Sequence, residues 1–258
     1  MFSSRFKKFS LTVAVISASI LATAVYANHS WGGYHWARTI NPFILKIGDN
    51  VSLSWKPYLA TTSTDWSLSE VLDTVIVPGA TKGNCLPTKG RVEVCSKKYG
   101  NNGWLGIAQV WVNSTGHIAQ GIVKMNDTYF TTATYNTPAW KNLVMCQEVG
   151  HTLGLDHQDE NFTNPNFGTC MDYTNNPLTN QHPNQHDYDQ LVAMYTHLDT
   201  TNTLLSTALP HGNSDQVNAD NPSSWGKSLR KDGKGRDSVY GVDLGRGEKL
   251  FTFVVWAN

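Results

Sequence analysis

Between Cys146 and Tyr173 the chain reads CQEVGHTLGLDHQDENFTNPNFGTCMDY, and the side chains able to do chemistry crowd into that stretch. Gln147 and His151 are four residues apart, so on a helix they lie one turn apart on one face, with Glu148 projecting beside them. Gly154 lets the chain leave the helix and bring His157 back toward the same point. Two imidazole nitrogens and an amide oxygen converging on one atom make three protein donors to a zinc ion, with a fourth position left for water. Glu148 is then the general base. It takes a proton from water that the metal has made acidic and returns it to the leaving amine after attack on a peptide carbonyl. Gln147 is the departure, because an amide oxygen is a neutral, hard, weak donor where imidazole binds zinc well. Three readings follow: a weaker but more Lewis-acidic site, a site completed by another group such as His182 or His186, or a vestigial site.

The elements that must position these groups begin with a helix. Thr137 supplies an N-cap and Pro138 the first helical position, and the helix runs to Leu153, where Gly154 stops it. Trp140, Val144, Gln147 and His151 share one face and Cys146, Val149 and Leu153 another, so both faces are expected to be buried. Upstream, Phe43 to Ile47 reads as a strand, suited to a sheet edge, and a short helix fits between Ser52 and Trp66 with Pro57 in its first turn. The next segment is ambiguous. Ser67 and Glu70 form a capping box, yet Val71, Asp73, Val75 and Val77 alternate like a strand. Arg91 to Cys95 is strand-like, and Trp104–Val112 and His117–Met125 flank an Asn113–Gly116 hairpin turn. Gly121, inside the second run, suggests close approach of another backbone. Tyr188, Leu191, Val192, Tyr195 and Leu198 have helical spacing. Residues 200–224 read as a linker, the basic run from Lys227 to Arg236 as a solvated loop, and Leu250 to Trp256 as a strand.

Composition narrows the partners. Lys+Arg and Asp+Glu both number 20 in 258 residues, so no charge excess recommends nucleic acid or anionic lipid. Arg5, Lys7 and Lys8 precede an apolar run from Leu11 to Ala24, which predicts a signal peptide over residues 1–27 and a secreted or periplasmic protein with no membrane contact after its removal. All four cysteines lie beyond that segment, in a compartment that permits disulfides. Three pairings are open; Cys85 with Cys95 and Cys146 with Cys170 are favoured, since each pair brackets a turn-rich loop. The other histidines and the nine tryptophans read by default as surface and packing residues.

Glu148, His151, Gly154, His157 and Met171 resemble the signature HExxHxxGxxH and Met-turn of the metzincin zinc endopeptidases, closest to their matrixin-like members, with Gln147 in place of the first histidine. The resemblance covers roughly residues 34 to 198 and is strong from 137 to 173. It implies an α+β fold: a twisted, mostly parallel sheet with an antiparallel edge strand, an active-site helix and a C-terminal helix, over residues 28–199, with a β-rich tail over 200–258. It implies one catalytic zinc on Gln147, His151 and His157, a Met-turn at Met171 beneath it, and a role for Tyr173 at the metal or the oxyanion. The run from Gly116 to Asn126 resembles the family's edge strand, which holds a protein or peptide substrate as an extended strand. Two rivals stand beside a metalloendopeptidase: a catalytically silent binding protein of the same fold, motivated by Gln147, and a tryptophan-rich carbohydrate-binding or wall-associated module.

Overall fold

Alternation in Phe43–Asn50 buries Phe43, Leu45 and Ile47 while Ile44 and Lys46 face outward, and this strand, β2, lies inside a sheet. The computed structural model describes residues 29–81, 83–205 and 220–258. The expected signal segment and residues 206–219 of the expected linker, His211 among them, lie outside the described residues. β1 (His35–Trp36) runs parallel to the start of β6 (His117–Asn126). β2 is flanked in parallel by β3 (Leu72–Pro78) and β4 (Arg91–Lys97), and β4 by β6. β5 (Trp104–Val112) precedes β6 in sequence and pairs antiparallel with it across the expected hairpin turn. The sheet continues past β5 through β9 (Glu248–Trp256), β8 (Asp237–Gly245) and β7 (Lys227–Lys231), all antiparallel. The fold is α+β on one mixed sheet in the order β3-β2-β4-β6-β5-β9-β8-β7, parallel in its first half.

Several expectations are corrected by these pairings. β2 is interior, because β3 claims its outer side. The run Gly116–Asn126 is also interior, since β6 lies between β4 and β5, so it offers no free edge to a peptide. The ambiguous Ser67–Val77 segment resolves as strand: Ser67 ends helix α1 (Lys56–Trp66), donating from Oγ to Ser63 O at 2.8 Å, and begins no helix. The basic run Lys227–Arg236 forms β7 and the turn into β8, with Asp232 buried under that turn. Gly121 is approached by side chains, a Cβ there meeting Thr152 Cγ2 at 3.3 Å.

A one-turn helix, α2 (Asp127–Phe130), follows β6, and α3 (Pro138–Thr152) then crosses the sheet as expected. The Thr137 side chain accepts from Trp140 N, Pro138 sits in the first turn, and Gly154 at φ +96° ends the element. Nearly every residue of α3 is buried, between the sheet and α1. Tryptophans fix it: Trp66 Nε1 donates to Cys146 O at 3.2 Å, Trp31 Nε1 to His151 O at 3.0 Å and Trp36 Nε1 to Thr152 O at 2.8 Å. α4 (Gln185–Tyr195) starts a turn earlier than the apolar spacing predicts, because Asn184 and Asp187 form a reciprocal capping box, and it ends before Leu198. Both favoured disulfides form, Cys85–Cys95 and Cys146–Cys170, the second joining α3 to the loop that carries Met171.

Met171 is fully buried against α3 at Gly150, where a Cβ would stand 2.5 Å from its Sδ and 2.8 Å from Trp66 Cζ2. Alanine gains about 1 kcal/mol of helix propensity over glycine, and overpacking a fixed core costs about 1–3 kcal/mol beyond ordinary contact. With a cost of about 2–3 kcal/mol set by two contacts under 3 Å, less that propensity gain, Gly150→Ala is expected to lower the thermal midpoint by about 2–8 °C. A calorimetric midpoint that is unchanged or raised would show that Met171 and Trp66 yield freely.

Candidate active site

His151 lies in the last turn of α3 and His157 six residues on, after the turn at Gly154. A side chain at position 154 is excluded by more than φ, since its Cβ would meet Tyr34 O at 2.4 Å. The loop after His157 is tied to the Met171 loop through Gln158 N to Met171 O at 2.7 Å and Tyr173 N to Asp159 O at 3.2 Å. The buried Asp187 carboxylate holds both loops to α4, accepting from Gln158 Nε2 at 2.8 Å and from Thr169 Oγ1.

This framework brings His151 Nε2 and His157 Nε2 to 3.0 Å from one another. Their outer nitrogens are engaged: His151 Nδ1 donates to Leu155 O at 2.9 Å, and His157 Nδ1 faces Glu160 Oε1 at 3.3 Å. Acceptors on both Nδ1 positions leave two Nε2 lone pairs facing each other, which is repulsive unless a cation or a proton lies between them. Gln147 is fully buried one turn before His151, and neither of its amide atoms has a hydrogen-bond partner among the described residues. An unpaired buried amide costs about 1–3 kcal/mol. The two inward nitrogens, His151 Nε2 and His157 Nε2, are the atoms placed to hold a metal ion.

Glu148 points from α3 toward β5, where Gly106 makes room for it. A Cβ on Gly106 would stand 3.0 Å from both Cγ and Oε1 of Glu148. Burial pushes the Glu148 carboxyl well above the usual carboxylate range, with the backbone amides of Val255 and Ala108 opposing only in part. Burial, and then His157, holds His151 well below the usual imidazole range, which keeps it neutral and able to donate its lone pair. The Tyr173 ring lies 4.3 Å from that of His157, and burial raises its phenol well above its ordinary value. His182 pairs with Asp65 at 2.7 Å and His186 stacks on His29, so both are engaged away from the pair.

Sequence reasoning missed what covers these groups. β9 adds to β5 with Ala108 opposite Phe253, Ile107 opposite Val254 and Gly106 opposite Val255. The Phe253 ring stacks on His151 at 4.3 Å and 14°, and Tyr173 OH donates to Val254 O at 3.4 Å. The space left beside Gln147, Tyr173, Val255 and Trp256 is about 10 Å³, room for one water at most. Arg230 on β7 clasps the loop that carries His157, its Nη1 donating to Asp156 Oδ1 at 2.6 Å and Glu160 Oε1 at 3.0 Å. The β-like pattern of Leu250–Trp256 was visible in the sequence, but its partner strand was not. Phe253 and Arg230 gave no signal of their own.

Gln147→His would place an imidazole where the unpaired amide now sits. Zinc affinity, measured by competition with a chelator of known strength, is expected to rise at least about tenfold, or about 1.4 kcal/mol, with the fold retained; no change would mean that position 147 does not face the metal. No family model matches the chain and no curated protein matches it, so the site is read from its own geometry.

Proposed function

We propose that this protein is an exported, zinc-dependent metalloendopeptidase of metzincin type, held closed by its own C-terminal strand. The observation that carries the reading is the convergence of His151 Nε2 and His157 Nε2 at 3.0 Å beside an orphaned Gln147 amide and a buried Glu148 carboxyl. Met171 packed beneath α3 and the antiparallel β5 beside four parallel strands support the same family. Two disulfides suit an oxidising compartment, and among the described residues no helix is long and apolar enough to cross a membrane.

Zinc on Gln147, His151 and His157 would supply the Lewis acid that polarises a peptide carbonyl and acidifies water. The chain's own groups do the rest. Glu148 takes a proton from water and hands it to the leaving nitrogen, as a general base and then acid must. Leu155 O and Glu160 fix the two imidazoles in the tautomer that turns Nε2 inward. β5 is the strand on which an extended protein or peptide substrate would lie, a position that β9 now occupies by the same strand addition.

A silent binding protein of this fold is the second reading, favoured by β9 filling the cleft and by Gln147 in the ligand set. A carbohydrate platform has less to stand on, because eight of the nine tryptophans are buried. Arg230→Ala removes the clasp on Asp156 and Glu160; if that clasp contributes about 1.4 kcal/mol, cleavage of an unfolded protein substrate rises about tenfold. Adding Glu148→Ala is expected to lower that cleavage by about 10²–10⁴. Equal cleavage with and without Glu148 would sink the peptidase, and zinc-loaded Arg230→Ala that cleaves nothing would favour the silent reading.

A further inference from the structure

Beside the covered cleft, the strands β7, β8 and β9 and residues 30–34 enclose a cavity of about 640 Å³. Small-molecule sites run to about 300–1,000 Å³. Its aromatic wall is continuous: the rings of Trp31, Tyr34, Phe251 and Phe253 meet in pairs at centroid distances of 5.1–5.3 Å, their planes inclined by 39–56°. Val239 adds to the apolar lining, and β8 is bare at Gly241, where a Cβ would meet Leu229 Cδ1 at 2.8 Å. Leu229 itself is 53% exposed at the rim, an apolar side chain half in water over an apolar floor.

We propose that this cavity binds a fatty-acid anion, with the acyl chain against the aromatic wall and the carboxylate on Lys227. Five charged side chains line the cavity, and four of them are already committed. Arg230 is bound to both carboxylate oxygens of Asp156 and to Glu160. Lys249 Nζ donates to the Tyr34 hydroxyl at 3.1 Å and lies opposite Asp243 in the pairing of β8 with β9. Asp243 Oδ1 accepts from Gly245 N at 2.8 Å. Lys227, exposed at the rim, has no partner among the described residues. One uncommitted ammonium beside an apolar cavity matches a ligand with a single negative group on a long apolar body.

The inclined ring planes decide which body fits. None of these four ring pairs is parallel, so the wall forms no slot for a flat aromatic ring, whereas a flexible acyl chain follows the tilted surfaces. A phospholipid would bring two chains and a phosphate to a cavity with one uncommitted cation among its described residues. The occupant touches both sides of the cavity, the tail strands on one and Trp31 and Asp156 on the other. Phe253 also stacks on His151, and Trp31 donates to His151 O, so the acyl chain lies one ring away from the candidate active site. This assignment does not depend on the peptidase reading.

The test titrates the full chain in a calorimeter with sodium decanoate and with decyltrimethylammonium bromide, each below its micelle concentration. Decanoate is expected to bind once per chain and at least about tenfold more tightly than the cationic amphiphile. No saturable decanoate binding, or equal affinity for the two head groups, would overturn the proposal. Lys227 is exposed, so Lys227→Glu leaves the core untouched; it is expected to weaken decanoate about tenfold without weakening decyltrimethylammonium. Unchanged decanoate affinity in that variant would count against the assigned head-group site. Location is read on the unaltered protein: decanoic acid carrying a photoreactive diazirine is expected to label peptides that hold Trp31, Leu229 or Phe251, and labelling confined to other peptides would sink the assignment.

Discussion

A helix ends with carbonyls that its own backbone does not satisfy, and in this protein that end is buried at the centre of the candidate site. His151 O receives Trp31, Thr152 O receives Trp36, and Leu153 O receives the Tyr195 hydroxyl at 2.9 Å. Leu155 O, just past the turn, receives His151 Nδ1. Each such group left unpaired would cost about 1–3 kcal/mol, so the end of α3 is stable only while β1, its preceding segment and α4 are docked around it. The position of the His151 imidazole is thereby set from outside its own helix. The Tyr195 hydroxyl also accepts from Trp36 N at 3.2 Å, which joins two of those donors into one network.

The candidate site was legible to the extent that it is local. The spacing of Gln147, His151 and His157, the N-cap at Thr137 and the left-handed Gly154 are all short-range features, and the structure brings His151 and His157 together after the turn at Gly154. The favoured disulfides were also legible, because each closes a loop between elements that neighbour one another in sequence. What was not legible is long-range pairing. Nothing in Leu250–Trp256 says that it lies on Trp104–Val112 and not on another strand, since apolar alternation describes a face and carries no address. The same limit hid the approach of His35, His117 and Asp199, which come from three separated segments and look alone like ordinary surface residues. Ser67 misled for a different reason: its hydroxyl serves a helix end as readily as a helix start.

Gln147 reads differently once its surroundings are known. It is pressed between α3 and the covering strand, with its neighbour Cys146 bonded to Cys170 next to Met171. If a metal is held here, a weak donor at position 147 costs little positional precision, because the two histidines are oriented by Leu155 O and Glu160. Glu148 is a fully buried carboxyl opposed only in part by the backbone amides of Val255 and Ala108, a cost that packing alone does not explain.

The pairing of β5 with β9 also has a kinetic side. A strand on the same chain is a competitor at fixed effective concentration, which for short tethers reaches about the millimolar range. A diffusing peptide at micromolar concentration that makes the same main-chain hydrogen bonds to β5 would be outcompeted by about a thousandfold on concentration alone. Were an outside chain to pair with β5 in this way, its occupancy would be governed by how often β9 leaves, and not by how tightly any one sequence fits.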